Sequence, residues 1–210
     1  MNLGNFITLE GGEGSGKTTQ VNLLHQKLIS LYDIDVVSTR EPGGTIKAEE
    51  IRKILLSSSS SEKWLPLTET LLHYASRLEH IENLINPSLN QGKWVICDRF
   101  IDSSMAYQGY GMNVDKSIID QLSNLFVGNS KPDLTIILDI PEQEGLLREV
   151  REPLADRYSL MDKEFHRNVR KGFREIAKIN GDRCKIINGL DSIENIHNSI
   201  LEIVVSKFNL

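Results

Sequence analysis

Gly11-Gly12-Glu13-Gly14-Ser15-Gly16-Lys17-Thr18 matches the pattern G-x-x-x-x-G-K-[ST] at every fixed position. The stretch before it, Phe6-Ile7-Thr8-Leu9, is bounded by Gly4-Asn5 and has the length of a buried strand. After it, Val21, Leu24, Leu28 and Leu31 recur at helical spacing. Strand, glycine loop and helix, in that order, are the context the motif requires. The glycines open backbone angles closed to other residues, so successive N–H groups can turn inward around phosphate oxygens. The following helix points its positive N-terminus at the same anion. In that arrangement Lys17 reaches the β- and γ-phosphates and the Thr18 hydroxyl ligates Mg²⁺. A glycine-rich turn beside a lysine would satisfy the bare pattern, but the flanks decide for nucleoside triphosphate binding.

A chain of 210 residues suffices for one α/β domain with a sizeable core. Its composition, 40% hydrophobic and 25% charged, is that of an ordinary globular protein. A net charge of -5 argues against a general affinity for nucleic acid, which favours a basic balance. Cys97 and Cys184 each fall in an apolar run that reads as strand, so both are expected to be reduced core residues, as in the cytosol. No charged n-region with an apolar h-region precedes Phe6, and no run of 18 apolar residues occurs. The chain is therefore expected to be soluble and cytoplasmic, with no membrane partner.

Outward from the loop, Ile34 to Thr39 reads as a second strand that Arg40-Glu41-Pro42-Gly43-Gly44 terminates. Ligands of open α/β sheets bind beyond the carboxyl ends of the strands, so Arg40 is either a phosphate ligand or a solvated surface residue. Glu49 to Leu56 reads as a short helix, with Glu49 placed four residues before Lys53 and Arg52 interrupting its apolar face. The serine run 57–61 reads as a flexible loop. From Pro66 to Leu89 a long helical stretch places Leu71, Leu72, Ala75, Leu78, Ile81, Leu84 and Ile85 in an apolar set, and Pro87 should bend or end it. His73, Arg77 and His80 share another face. Their spacing is wrong for a metal site, and His80 is expected to face solvent.

A third strand, Lys93 to Cys97, leads into Asp98-Arg99-Phe100. An acidic residue at that position in a phosphate-loop protein often holds Mg²⁺ directly or through water, which makes Asp98 a candidate. Ser104 and Gln108, one helical turn apart, would offer donors and acceptors to a base edge; an amphipathic helix with a glycine cap has the same spacing. Asp115 to Phe126 reads as a packing helix, with Ile118, Leu122, Leu125 and Phe126 apolar. Lys131-Pro132-Asp133 opens a fourth strand through Leu138. Arg148, Arg151 and Arg157 lie among acidic residues around Pro153, as in a solvated loop or in a lid whose arginines reach a transferring phosphoryl group. Phe165, Val169, Phe173 and Ile176 form a further helical face, Cys184 to Ile187 a fifth strand. A last helix is expected to start near Asp191, with Glu194 placed for a capping box. Five strands alternating with helices, without repeats or a linker, argue for a single-domain P-loop NTPase fold: one five-stranded parallel sheet flanked by helices, with a short lid.

Nearly end to end, the chain resembles the bacterial thymidylate kinases, a family of P-loop nucleoside monophosphate kinases. The resemblance rests on Glu10 to Thr19, Thr39 to Gly44, Glu49-Glu50-Ile51-Arg52, Ala75-Ser76-Arg77, Asp98-Arg99-Phe100, Ser103-Ser104, Ala106 to Gly109 and Asp156-Arg157. It implies transfer of the ATP γ-phosphoryl to dTMP with Mg²⁺, one domain over 1–210 with a lid at about 148–160, and a homodimer. Gly11, Gly12, Glu13, Gly14, Ser15, Gly16, Lys17, Thr18 and Thr19 would hold ATP, with Thr18 and Asp98 at the metal. Arg40 and Arg99 would hold the acceptor phosphate, with Arg52 nearby. Arg77, Ser104 and Gln108 would read the thymine, His73 would lie against it, and Tyr107 would crowd a ribose 2′-OH. Glu13 would sit near the sugar 3′-OH and the metal. With no arginine inside the phosphate loop, the lid would supply one, Arg151 or alternatively Arg148. Lys17, Arg99, Arg151 and Glu13 are thus the catalytic candidates.

A phosphate monoester has a second pKa of about 6 and is mostly dianionic at pH 7, so no general base is needed. The reaction needs cationic clamps on two repelling phosphates and exclusion of water. A kinase of another nucleotide shares this inventory, whereas a nucleotide-binding switch would not need an acceptor clamp. The chain departs from the family pattern twice: His73 replaces a phenylalanine that stacks on thymine, and Tyr158-Ser159 replaces an aliphatic-glutamate pair. A histidine titrates near about 6.5, and burial against a base beside Arg77 disfavours its charge. dTMP binding is therefore expected to weaken as pH falls through the pKa of His73 in the free protein.

Overall fold

A computed structural model describes residues 3–57, 63–149 and 157–210. Its five strands, β1 (Phe6–Gly11), β2 (Val36–Arg40), β3 (Trp94–Asp98), β4 (Leu134–Asp139) and β5 (Cys184–Asn188), form one sheet in the order β2-β3-β1-β4-β5. Every pairing is parallel. Helix α1 (Lys17–Tyr32) follows the glycine loop and α2 (Ile46–Leu56) follows β2. Helix α3 (Pro66–His80) runs through a wide π-helical turn (Ile81–Ile85) into α4 (Asn86–Asn90). Beyond β3, α5 (Ile101–Ser104) passes into a second π turn (Met105–Gly111) and then α6 (Lys116–Phe126). Helix α7 (Glu142–Glu149) follows β4, α8 (Lys163–Ile179) precedes β5, and α9 (Ile193–Phe208) ends the chain.

Successive strand side chains point to opposite faces, which splits the core in two. Ile7, Leu9, Ile96, Ile136 and Leu138 meet Val21, Leu24 and Leu28 of α1 and Ile196, Ile200 and Val204 of α9 on one face. Phe6, Val95 and Cys97 pack against Tyr74, Ile81, Ile85 and Phe100 on the other, beside a cluster of Ile137 and Cys184 with Phe165, Val169, Phe173 and Ile176 of α8. Both cysteines are buried free thiols, and burial pushes the Cys184 thiol up to about 12. The parallel register aligns Leu9 and Arg40 with Asp98, so the ends of β1, β2 and β3 open on one edge of the sheet.

Several expectations are corrected at the level of helices. Leu31 is 58% exposed and takes no part in the core. In α3, Leu71, Ala75 and Leu78 face outward, while Glu69, Thr70, Tyr74, Ser76, Arg77 and His80 are buried. The inward face is polar because it lines a cavity, so apolar spacing marks the outer face there. His80 is fully buried, not solvent-exposed. The chain continues helically through Pro87: the π turn lets the Asn86 N–H reach the Ile81 carbonyl, absorbing the register change before a residue that lacks a donor. Glu49 bonds Arg40 and the Gly44 N–H, not Lys53 at the next turn. In α6 the buried residue is Ile119, and Leu125 is exposed. Ser192 caps α9 by accepting from the Asn195 N–H at 3.1 Å, one residue beyond the expected start, so Glu194 has no capping-box role. Residues 150–156, which carry most of the expected lid and Arg151, lie outside the described residues.

Candidate active site

A cavity of about 550 Å³ opens at the carboxyl edge of the sheet. The loop after β1 forms one wall. Gly14 and Gly16 hold φ of +63° and +89°, angles an L side chain rarely adopts, and a Cβ on Gly14 would strike the Gly145 carbonyl of α7. Lys17 folds back on its own loop, donating to the Gly12 carbonyl at 2.8 Å and to Ser15 Oγ at 3.2 Å. Burial and the neighbouring Arg99 push its ammonium pKa down. The Thr18 hydroxyl donates to Asp98 Oδ2 at 2.7 Å, so two hard oxygen ligands from α1 and β3 meet beside the loop. Among the described residues no group of three or more His, Cys, Asp and Glu side chains is placed to hold a metal ion. The Thr18–Asp98 pair instead suits Mg²⁺, which takes one or two protein oxygens and completes its shell with phosphates and water.

Arg99, at the end of β3, has the left-handed φ of +68°. Glu10 supports that turn: its buried Oε1 accepts from the Phe100 N–H at 2.8 Å and the Ser103 N–H at 3.2 Å, and Oε2 accepts from the Ser103 hydroxyl at 2.6 Å. Burial and nearby Asp102 push the Glu10 carboxyl up to about 7. Arg99 Nη2 meets both oxygens of Glu13, at 2.9 and 3.0 Å, while Nη1 donates to the Gly11 carbonyl at 3.2 Å. Tyr107 lies under the guanidinium at 4.9 Å and donates to Glu13 Oε1 at 2.6 Å. Burial would raise the Glu13 carboxyl, but Arg99 and Lys17 more than offset it and hold it below the usual range. Arg40, half exposed, pairs with Glu49, and Arg52 donates to the Pro42 carbonyl at 2.8 Å.

The far end of the cavity is polar and deeply buried. Arg77, 2% exposed, donates from Nε to Glu41 Oε2 at 2.8 Å, from Nη1 to Ser104 Oγ at 3.0 Å and from Nη2 to the Phe100 carbonyl at 2.9 Å. His80 braces the same carboxylate, Nδ1 to Glu41 Oε1 at 3.1 Å, and contacts Thr39 Oγ1 at 2.7 Å. His73 reaches the Tyr158 hydroxyl at 2.7 Å.

Glu13, Gly14, Ser15, Gly16, Lys17, Thr18, Thr19, Arg40, Arg52, His73, Arg77, Asp98, Arg99, Ser104, Tyr107 and Gln108 all line this one cavity. Gly11 and Gly12 stand behind the loop and contribute carbonyls to Arg99 and Lys17. Arg148 also lines the cavity, its Nη1 donating to the Gly189 carbonyl at 3.2 Å. Sequence reasoning missed the supporting carboxylates Glu10, Glu41 and Glu69, together with His80. The signal for His80 was its place three residues after Arg77 on one helical face; Glu10 and Glu41 had none beyond lying within quoted motifs, and Glu69 had none at all.

The family model described as thymidylate kinase matches residues 9–200. A thymidylate kinase of Marinomonas sp. is 44% identical over 199 residues, covering 95% of this chain and 93% of its own length. One of Caulobacter vibrioides is 41% identical over 210 residues, with both chains covered completely. The crystal structure of thymidylate kinase from Ehrlichia chaffeensis superposes with a TM-score of 0.79 at 42% identity, covering 96% of this chain and 98% of that one.

Proposed function

The chain belongs to the thymidylate kinase family, and we propose that it transfers the γ-phosphoryl group of ATP to dTMP, giving dTDP and ADP. The observation that carries this reading is the single cavity that joins a phosphate loop at one end to a buried, polar recess at the other, with Arg99 between them. A switch needs only the first of these. A kinase needs both, with a cation where the two phosphates meet.

The acceptor phosphate is dianionic at neutral pH, so the protein's work is positioning and charge stabilisation, without a general base. The loop N–H groups and Lys17 hold the donor phosphates; Lys17 exchanges the Gly12 carbonyl for phosphate oxygens. Arg99, Arg40 and Arg52 hold the acceptor phosphate and offset its repulsion from the donor. Glu13 and Tyr107 fix the plane of the Arg99 guanidinium, and Glu13 lies toward the sugar 3′-OH. Thr18 and Asp98 would hold Mg²⁺, which would supply charge neutralisation for the phosphoryl oxygens. Arg77, Ser104 and Gln108 read the base, His73 lies against it, and Tyr107 crowds a ribose 2′-OH. Residues about 148–160 act as the lid, with Arg151 reaching the transferring group.

Among the described residues no helix is long and apolar enough to cross a membrane, and the reading places the enzyme in the cytoplasm. The outward apolar row Leu67, Leu71, Ala75 and Leu78 on α3 supports a homodimer that buries it.

Coupled ADP release across a panel of nucleoside monophosphates tests the activity. The fastest turnover is expected with dTMP and ATP. A preference for another monophosphate, or nucleotide hydrolysis indifferent to any acceptor, overturns it.

A further inference from the structure

Glu69 of α3 is 1% exposed and lies behind the base end of the cavity, bonded to Gln108 and Tyr158, which line it. Its Oε1 accepts from Gln108 Nε2 at 3.0 Å and from the Tyr158 hydroxyl at 2.6 Å, and its Oε2 pairs with Arg157. A carboxylate offers only lone pairs, so it dictates the direction of each of these bonds. Gln108 must turn its NH₂ toward Glu69, which leaves Oε1 as its free atom. Tyr158 has one proton and gives it to Glu69, so at the 2.7 Å contact with His73 the tyrosine oxygen accepts and Nε2 donates. His73 then carries its proton on Nε2 and a lone pair on Nδ1.

We propose that Glu69 is a positioning residue that sets the hydrogen-bond polarity of the base end of the cavity, turning Gln108 Oε1 outward and, through Tyr158, locking His73 in the Nε2–H form. The inference rests on the reading of this cavity as the dTMP site. Gln108 lines the cavity together with two donors: Arg77, which keeps N–H groups beyond its bonds to Glu41, Ser104 and the Phe100 carbonyl, and the Ser104 hydroxyl, whose oxygen accepts from Arg77. That order complements an imide, with its N–H flanked by two carbonyls, as in thymine and uracil. Cytosine presents a lone pair at N3 and an amino group at C4. It would set lone pair against Oε1 and N–H against guanidinium, both mismatched in a buried recess. The bond to Tyr158 also ties His73, tilted 42° to the tyrosine ring, into one orientation. The neutral state of His73 agrees with this, since burial, Arg77 and Arg157 push its pKa down to about 3.

The test uses Glu69→Gln, which keeps the side-chain volume but can donate as well as accept, and so frees Gln108 to turn over. Calorimetric affinities for dTMP, dUMP and dCMP are compared with wild type. The ratio of dTMP to dCMP affinity is expected to fall about ten- to a hundredfold, the scale of one buried unmatched polar group. Tyr158→Phe removes the hydroxyl that bonds Glu69, His73 and Arg157 but leaves the Glu69–Gln108 contact in place: it should keep most of the discrimination. In ¹⁵N-histidine spectra of the unliganded protein, wild-type His73 should show the Nε2–H tautomer, and Tyr158→Phe should mix the two tautomers. Equal weakening of dTMP and dCMP by Glu69→Gln, or a wild-type His73 protonated on Nδ1, overturns the proposal. Should dTMP bind with these preferences yet never be phosphorylated, the proposed activity fails and this inference stands.

Discussion

Arg99 and Glu13 form a two-oxygen contact, Nη2 to Oε1 at 2.9 Å and to Oε2 at 3.0 Å, that bridges the end of β3 to the phosphate loop. The pair is largely buried, and Arg99 reaches it from a backbone angle that costs a non-glycine residue energy. Such strain persists where the surroundings fix it, here by Glu10 beneath the turn. Arg99→Ala is expected to abolish useful turnover and raise the Michaelis constant for dTMP while leaving that for ATP nearly unchanged. Arg99→Lys should restore little, because a point charge lacks the planar fork that meets Glu13 and a phosphate together. Lys17→Ala should be equally inactive but act on the donor. An Arg99→Ala variant with a raised constant for ATP alone would show that Arg99 serves the donor.

Asp98 accepts the Thr18 hydroxyl at 2.7 Å and has no other side-chain bond of its own among the described residues, so it is free to turn toward a cation. Asp98→Asn removes the charge and keeps the shape. Its activity should require about tenfold more Mg²⁺ for half-saturation, the lower end for losing a partner of a metal site. Titrating Mg²⁺ at fixed ATP measures this, and an unchanged requirement would remove Asp98 from the metal site.

The sheet and the phosphate loop were legible because both follow local rules: apolar runs of strand length, and glycines where the backbone must turn around an anion. The polar face of α3 was partly legible, since His73, Arg77 and His80 aligned at helical spacing. What misled was the apolar set on the same helix. Leu71, Ala75 and Leu78 obey the period but face outward, because hydrophobic periodicity identifies a face without saying what covers it. The buried carboxylates were illegible for a different reason. Glu10, Glu41 and Glu69 are recognisable only from partners 90, 36 and 39 residues away, Phe100, Arg77 and Gln108, which no local window contains.

Arg148 is held by the Gly189 carbonyl at 3.2 Å, at the side of the cavity. That commitment favours Arg151 as the arginine that meets the transferring phosphoryl. Arg151→Ala should lower kcat on the order of 10³-fold, the low end for such a residue. ATP affinity should change much less, since the charge it meets develops during transfer. Single-turnover rates separate the two. A near-normal Arg151→Ala beside a crippled Arg148→Ala would give the role to Arg148.

Leu67, Leu71 and Leu78 are 44%, 48% and 37% exposed in the single chain. Half-exposed leucines in a row on one helix are stable in water when a second surface covers them. Leu71→Glu would place a charge in that row without touching the inward face, which α3 presents to the cavity. Sedimentation should show wild type at twice the chain mass and the variant at the chain mass. A monomeric wild type would refute the homodimer.

His73 carries the last prediction, and the structure changes its sign of interest. The side chain lines the cavity, bonds the Tyr158 hydroxyl at 2.7 Å and faces Arg77, Arg157, Arg99 and Arg52, and burial followed by those charges lowers its pKa to about 3 in the free protein. The imidazole is therefore already neutral around pH 7. The loss of dTMP binding expected on titrating His73 near neutrality should not occur; the remaining change near pH 6 belongs to the nucleotide's own phosphate, whose second pKa is about 6. His73→Phe should then keep the wild-type pH profile of dTMP affinity. Stability should behave differently. The unfolded chain's histidine titrates near about 6.5, whereas the folded one resists protonation down to about 3. Between those values the unfolded state binds the extra proton, so the contribution of a neutral His73 is fully present above the upper value and is lost as pH falls toward the lower. Melting temperatures of wild type and His73→Phe, taken in steps from pH 7 to pH 4, should diverge on the acid side, the wild type falling more steeply. Parallel curves, or an NMR titration of His73 centred near neutrality, would show that its ring is solvated and not held by Tyr158.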